Sequence, residues 1–229
     1  MQPYLIAHAC GEIDELVYSN SIEALNNSYK NGFRFIEFDI SQTNDGQFIL
    51  LHDFEETRYK LFGKKGKCNF SEFMSDKMIG GYQQLSLDDI ITWFEDHTDC
   101  YIVTDSKDAD IIELCQYILK KSPKLKDNLI IQIYSFAEYQ HIKSMGISKI
   151  IFATYKTEAT DNEIIDFLKN NACYAVSMSL EKAKNGFANA IKKNMDLWVL
   201  AFTLNQENLI SDYKKIGVDG FFTDKILPL

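Results

Sequence analysis

Basic charge is what this sequence has least of: 24 lysines and arginines stand against 33 aspartates and glutamates, a formal net charge of −9. A nucleic acid or an anionic membrane is normally met by a basic face, so neither is expected as a general partner. Prolines number three and glycines eleven, and 46% of residues are hydrophobic. That balance excludes a disordered or low-complexity chain and allows a sizeable core. No apolar run approaches the ~20 residues needed to span a bilayer, so no membrane insertion is expected. The five cysteines, Cys10, Cys68, Cys100, Cys115 and Cys173, are scattered, without the spacing of a zinc site or a disulfide framework. A reducing compartment follows. The opening Met1-Gln2-Pro3-Tyr4-Leu5-Ile6-Ala7-His8 runs into a strand-like segment with no basic or apolar leader, which predicts a soluble, cytoplasmic protein.

What is present is a rhythm. Short β-branched and aromatic runs alternate with longer amphipathic stretches, the sequence form of repeated βα units. Strands are predicted at Tyr4–His8, Phe35–Ile40, Phe48–His52, Tyr101–Asp105, Leu129–Ser135, Ile150–Tyr155, Tyr174–Leu180, Leu197–Thr203 and Gly220–Thr223. Helices are predicted at Ser21–Asn31, Ser86–His97, Ala109–Lys121, Ala137–Met145, Asp161–Asn170, Glu181–Lys193 and Gln206–Ile216. The pattern predicts one α/β domain, an irregular (β/α)8 TIM barrel over residues 1–229, with nine strand candidates for eight places. Residues 55–84 break the rhythm and read as an insertion after the third strand. Its aromatics are either a lid or a satellite core, and its lysines, Lys60, Lys64, Lys65 and Lys67, are a solvated loop. Ile40 and Phe48 are joined through Asn44-Asp45-Gly46, too short for a helical crossover and suggestive of a hairpin that places Asp39 opposite His52.

Charges inside apolar strands are costly, so they mark places where function is paid for in stability. Glu37 and Asp39 interrupt Phe35-Ile36-Glu37-Phe38-Asp39-Ile40 and project from one face of a strand. Two carboxylates so placed repel unless a proton or cation lies between them, and a hard divalent ion is the economical answer. His8 and His52 fall at the ends of the first and third predicted strands, where barrel catalysis is seated. Asp105 and Lys107 follow Tyr101-Ile102-Val103-Thr104; the first could complete a metal site, the second neutralise charge on a phosphoryl oxygen. Each residue alone has a bland reading, as a strand-end hydrogen bond, an edge-strand alternation or a helix cap. Their coincidence at one end of four strands favours function. His97 and His141 lie on amphipathic helices and are assigned to the surface.

These residues, in this order, resemble the glycerophosphodiester phosphodiesterases, within the wider phospholipase-C-like phosphodiesterases. The family pattern of HRG, ENT, E-x-D, HD, E-x-K and G-x-D-G-x-x-T-D is met by His8-Ala9-Cys10-Gly11, Ser19-Asn20-Ser21, Glu37-Phe38-Asp39, His52-Asp53, Asp105-Ser106-Lys107 and Gly217-Val218-Asp219-Gly220-Phe221-Phe222-Thr223-Asp224. The resemblance implies Mg²⁺ or Ca²⁺ on Glu37, Asp39 and Asp105, His8 and His52 as catalytic acid and base, and Lys107 on the phosphate. The substrate it implies is a small or polymer-linked glycerophosphodiester. Three positions depart from the pattern. Ala9 replaces the family's arginine and removes a bidentate phosphate clamp, for which Arg34, Arg58 or an insertion lysine are candidate replacements. Ser19 stands for Glu, and Asp105 is a methylene shorter than the usual Glu, as in the sphingomyelinase D branch. A phospholipid-directed lyase that forms a cyclic phosphate and a weakened phosphate-binding barrel are therefore the competing readings.

Overall fold

The computed structural model describes residues 4–228. Nine strands occur: β1 Tyr4–Ala7, β2 Phe35–Gln42, β3 Phe48–Leu50, β4 Tyr101–Ser106, β5 Leu129–Ile133, β6 Lys149–Ala153, β7 Ala175–Ser179, β8 Trp198–Phe202 and β9 Gly220–Thr223. Eight of them run parallel in the order β1-β9-β8-β7-β6-β5-β4-β2, and β1 pairs with β2 to close the ring. This is the expected TIM barrel. The ninth candidate, β3, is not a barrel strand: among the described strands it pairs with β2 alone, antiparallel, and Ile49 adds a bridge to Ser86. The short Asn44-Asp45-Gly46 connection therefore does make a hairpin. Its register is one residue away from the expected one, because Ile40 faces Leu50 and Leu51 donates to the Asp39 carbonyl. The reason is the turn, in which Thr43 N–H bonds Gln47 O and Gly46 takes φ 76°.

The inward positions of the strands form three layers. At the N-terminal end Tyr4, Phe35 and Tyr101 lie against one another, with Phe35 stacked on Tyr101 at 4.7 Å. Above them Ile6, Val103, Ile130, Ile151, Ala175, Leu200 and Phe222 form a dry inner core. Two residues further along, the same alternation brings His8, Glu37, Asp105 and Gln132 to the C-terminal mouth. The intervening residues, such as Ile36, Phe38, Ile102 and Ile131, pack outward against the helices. Both faces of each strand are thus buried, which is why the strands read as near-continuous apolar runs. Gly220 makes the β1–β9 seam possible: a Cβ there would lie 2.5 Å from the Tyr4 carbonyl oxygen.

The helices follow the expected spans closely. Ser86 and Asp89 form a capping box, and Asp161–Asn170 is a helix over its whole predicted length. One expected helix, Glu181–Lys193, is two: Leu180–Lys184 and Phe187–Asn194, divided where Gly186 takes φ 99°. The insertion is a satellite core and not a lid. Leu61 and Phe73 of its helices Glu56–Phe62 and Phe70–Ser75, with Cys68 and Met78 from the segments beside them, pack against Ile49, Leu51 and Phe54. Buried Arg58 ties it together through Glu72 at 2.7 Å and Asp76 at 3.0 Å. Lys64 and Lys67 are ion-paired to Asp76 and Asp108, while Lys65 lies over the Tyr59 ring. Among the described residues no helix is long and apolar enough to cross a membrane.

Candidate active site

Strand geometry alone assembles the acidic cluster. Glu37 and Asp39 share one face of β2, and the parallel register sets Asp39 beside Asp105 on β4. One oxygen from each of the three carboxylates lies within 4.8 Å of the others, and all three side chains are buried. Each carboxylate is also held by hydrogen bonds to one of its oxygens. Ala9 N–H donates to Glu37 Oε2 at 2.7 Å, Asn20 Nδ2 to Asp39 Oδ2 at 2.9 Å, and Tyr134 and Tyr155 donate to Asp105 Oδ1 at 2.5 and 2.6 Å. The first grip depends on the turn after β1. Ala9 and Cys10 take φ 48° and 69°, a left-handed conformation that costs a non-glycine residue roughly 1–2 kcal/mol. The Glu37 bond and Ser28 Oγ donating to the Cys10 carbonyl at 2.6 Å hold it in place.

Lys107 sits among these charges, with Nζ 2.9 Å from Asp39 Oδ1 and 2.7 Å from Asp105 Oδ2. Burial works against its positive charge, but Asp39, Asp105 and Glu37 outweigh it and hold the ammonium firmly protonated. Asp105 is drawn below the usual carboxylate range in spite of burial, by Lys107 and the two tyrosine hydroxyls. Glu37 goes the other way: burial first, then repulsion from Asp39, raise it. Its Oε1 is buried and accepts no hydrogen bond, and Asp39 Oδ1 has only the Lys107 contact. A buried carboxylate oxygen without a partner is costly, and here it belongs to a cluster of three carboxylates. This donor set, all hard oxygen, fits a divalent cation such as Mg²⁺ or Ca²⁺.

Both histidines stand at the same mouth. His8 opens the turn directly after β1, and its Nδ1 lies 2.8 Å from Asp224 Oδ1 at the end of β9. Asp224 is fixed in turn by Asn205, whose Nδ2 donates to Oδ2 at 2.7 Å. His52 arrives differently from what its sequence position implies, on the return limb of the hairpin two residues beyond β3. Its Nδ1 lies 3.0 Å from Asp53 Oδ2. Asp53 also accepts the N–H groups of Glu55, Glu56 and Thr57 through Oδ1, at 2.6 to 3.2 Å, so the insertion's first helix anchors the group that orients His52. In each pair the aspartate fixes Nδ1–H, leaving Nε2 for chemistry. The Tyr18 ring stands edge-on to both imidazoles, 4.8 Å from His8 and 5.1 Å from His52.

Burial disfavours a charged His8, but Asp224, with Glu37 and Asp39, raises its pKa to about 9. Replacing Asp224 by asparagine should therefore bring the His8 pKa down and release the ring. Imidazole titration by ¹H–¹⁵N NMR on EDTA-treated protein checks this, and an unmoved His8 titration would show that Asp224 does not control it.

A cavity of about 180 Å³ is lined on its polar side by His8, Glu37, His52, Asp105 and Lys107, and on its apolar side by Tyr18, Tyr155, Phe202 and Phe222. A larger groove of about 820 Å³ lies at the opposite end, beside Tyr4 and Phe35, with no histidine in its lining. All six residues singled out in the sequence thus meet at one place. The proposed replacements for the missing arginine do not. Arg34 is paired with Asp99, beside that opposite groove, and Arg58 is enclosed in the insertion. Lys156 is the nearer cation, 4.0 Å from Asp105 and over the Tyr134 ring. Sequence reasoning misses it, together with Tyr18, Tyr134 and Tyr155. Asp53, Asp224 and Asn20 stand within quoted motifs, but spacing assigns none of them a partner. Of the other histidines, His141 is exposed as expected, whereas His97 stacks on Trp93 at 3.7 Å, half-buried.

Among solved structures of similar fold is a glycerophosphodiester phosphodiesterase from Thermotoga maritima, 19% identical, matched over 98% of this chain and 96% of its own, with a TM-score of 0.74. One from Parabacteroides distasonis is 18% identical over 96% and 92%, with a TM-score of 0.74. A phosphodiesterase from Oleispira antarctica, solved with its product sn-glycerol-3-phosphate, is 17% identical over 97% and 93%, with a TM-score of 0.71. At such identities the likeness shows the fold. No curated protein matches the chain in sequence. The description of the matching family model is "Glycerophosphoryl diester phosphodiesterase family", and it spans residues 11–227, which takes in every element of the site except His8, Ala9 and Cys10. The chain therefore belongs to the glycerophosphoryl diester phosphodiesterase family, whose members are phosphoric diester hydrolases.

Proposed function

We propose that this protein, as one barrel domain carrying the 55–84 insertion, is a divalent-metal-dependent phosphodiesterase. It cleaves glycerophosphodiester P–O bonds with His8 and His52 as acid and base. Glu37, Asp39 and Asp105 hold Mg²⁺ or Ca²⁺, and Lys107 contacts the phosphate. The observation that carries this reading is the convergence of two aspartate-oriented imidazoles on a buried carboxylate triad whose Glu37 Oε1 lacks a partner. Bound there, the cation supplies Lewis-acid polarisation of a phosphoryl oxygen. One imidazole takes a proton at Nε2 from the attacking hydroxyl or water while the other gives one to the leaving alkoxide. Lys107 offsets charge on the phosphoryl group.

The cavity is smaller than the ~300–1,000 Å³ typical of drug-sized ligands, so the group it takes is small. A phosphate on the polar side and a short carbon skeleton against Tyr155, Phe202 and Phe222 suit it, whether the diester is free or attached to a polymer. The absence of paired cysteines supports a reducing, cytoplasmic setting. Asp105, in place of the longer glutamate, favours one second reading, an intramolecular attack that releases a cyclic phosphate. Turnover of glycerophosphodiesters with Mg²⁺, Ca²⁺ or Mn²⁺, followed by phosphorus NMR, tests both. The expected product is sn-glycerol 3-phosphate, and a persistent cyclic phosphate establishes the second reading. No turnover above a His8→Ala, His52→Ala control would leave a phosphate-binding barrel.

A further inference from the structure

The three carboxylates of the cluster are not equivalent in how they are restrained. Glu37 Oε2 is held by one amide and Asp39 Oδ2 by one side-chain amide, but Asp105 Oδ1 accepts two phenolic hydroxyls at once. The oxygens outside those bonds are Glu37 Oε1, which has no partner, and Asp39 Oδ1 and Asp105 Oδ2. Lys107 Nζ touches the last two, so the ammonium already occupies the place of a cation. Tyr134 reaches Asp105 from the loop after β5 and Tyr155 from the loop after β6, their rings in edge contact at 5.7 Å. A carboxylate oxygen that accepts two short hydrogen bonds has its lone pairs committed and cannot turn toward an ion.

This matters for which ion is held. Ca²⁺ takes six to eight oxygens at roughly 2.3–2.6 Å and gains from bidentate carboxylates; Mg²⁺ takes six at roughly 2.0–2.1 Å, usually one oxygen per carboxylate with water completing the set. A site that offers one oxygen from each of three carboxylates suits the smaller ion.

We propose that Tyr134 and Tyr155 are positioning residues that fix Asp105 as a one-oxygen ligand, and that they thereby tilt the cluster toward Mg²⁺ over Ca²⁺. This rests on the metal-site reading above and adds to it residues that touch neither metal nor phosphate in that role. Isothermal titration of EDTA-treated protein with MgCl₂ and with CaCl₂, on wild type and on the Tyr134→Phe, Tyr155→Phe double variant, tests it. Wild type binds Mg²⁺ more tightly than Ca²⁺, and the double variant lowers the ratio of Ca²⁺ to Mg²⁺ dissociation constants by about tenfold or more, the effect of freeing a second Asp105 oxygen. A ratio unchanged by the double substitution overturns the proposal while leaving the metal site standing. Failure of wild type to bind either ion overturns the metal site itself. Tyr155 is 42% exposed, so the single Tyr155→Phe variant carries the same comparison if the double variant does not fold.

Discussion

Replacing His8 or His52 by alanine lowers kcat by about 100- to 10,000-fold, the usual worth of a positioned acid or base, and leaves metal affinity at the wild-type value. Neither imidazole is among the three clustered carboxylates, so losing one removes a proton carrier without removing a ligand. The two variants should differ in one respect. His8 is the more enclosed, with a side chain 11% exposed against 36% for His52, and its partner Asp224 is buried. A buried aspartate beside an enclosed imidazole favours the protonated form, so under the proposed mechanism His8 would protonate the leaving alkoxide and His52, nearer solvent, would deprotonate the nucleophile. A diester with a nitrophenolate leaving group needs no such proton. His8→Ala should recover most of its rate on that substrate, whereas His52→Ala should not. Equal losses for both variants on both substrates would sink the division of labour, and near-wild-type rates would sink the acid–base assignment altogether.

The pH profile carries the same sign. An acid with a raised pKa is ready below it and spent above it, so activity falls as pH rises past the His8 value, about 9 in the metal-free protein. A cation on the carboxylates relieves part of the cause but leaves Asp224 in place. Asp224→Asn therefore moves the alkaline limb to lower pH.

The parts of this site legible in the sequence are those that strand periodicity generates. Glu37 and Asp39 are two apart on one strand, and their shared face follows from the pleat. The gathering of Asp105 and His8 at the same mouth follows from the rule that strand ends meet there. What escaped is everything set by loops and by register between distant strands. Tyr134 and Tyr155 lie just beyond β5 and β6, read as ordinary aromatic strand ends, and acquire their role only because both loops bend over Asp105. Asp224 meets His8 across 216 residues of chain, a pairing that depends on β9 closing against β1. His52 reaches that mouth through the hairpin that the short Asn44-Asp45-Gly46 connection implies, and not from the end of a barrel strand. It lies on a hairpin beside the barrel, and the one-residue difference in register came from a turn whose Gly46 takes the left-handed conformation. The split of the Glu181–Lys193 helix has the same origin, since apolar spacing is continuous across Gly186 and only the backbone reveals the break.

Glu37→Gln should make the metal-free protein more stable and the metal-loaded protein less so. Desolvation and Asp39 raise the Glu37 pKa in the folded state, so between the unfolded value and this higher one folding takes up a proton. Stability of the metal-free protein accordingly declines as pH rises through that window, and the whole penalty remains above it. An amide of the same shape avoids the penalty: its oxygen can still accept Ala9 N–H, and its NH₂ can donate toward the otherwise poorly satisfied Asp39 Oδ1. With each pKa unit worth about 1.4 kcal/mol, the gain at neutral pH is on the order of 1–3 kcal/mol. Saturating Mg²⁺ reverses the ranking. Wild type gains about 4.1 kcal/mol at a thousandfold excess over its dissociation constant, and the variant, with one ligand neutralised, gains little. Urea denaturation in EDTA and in Mg²⁺ gives both numbers, and the two stability curves should exchange order between the conditions. Lys107 offsets the charge of Asp39 and Asp105, but Glu37 Oε1 stays buried without a partner. A variant that is less stable than wild type in EDTA, yet equally stabilised by Mg²⁺, would mean that the cluster is held together by its hydrogen bonds and Lys107 alone.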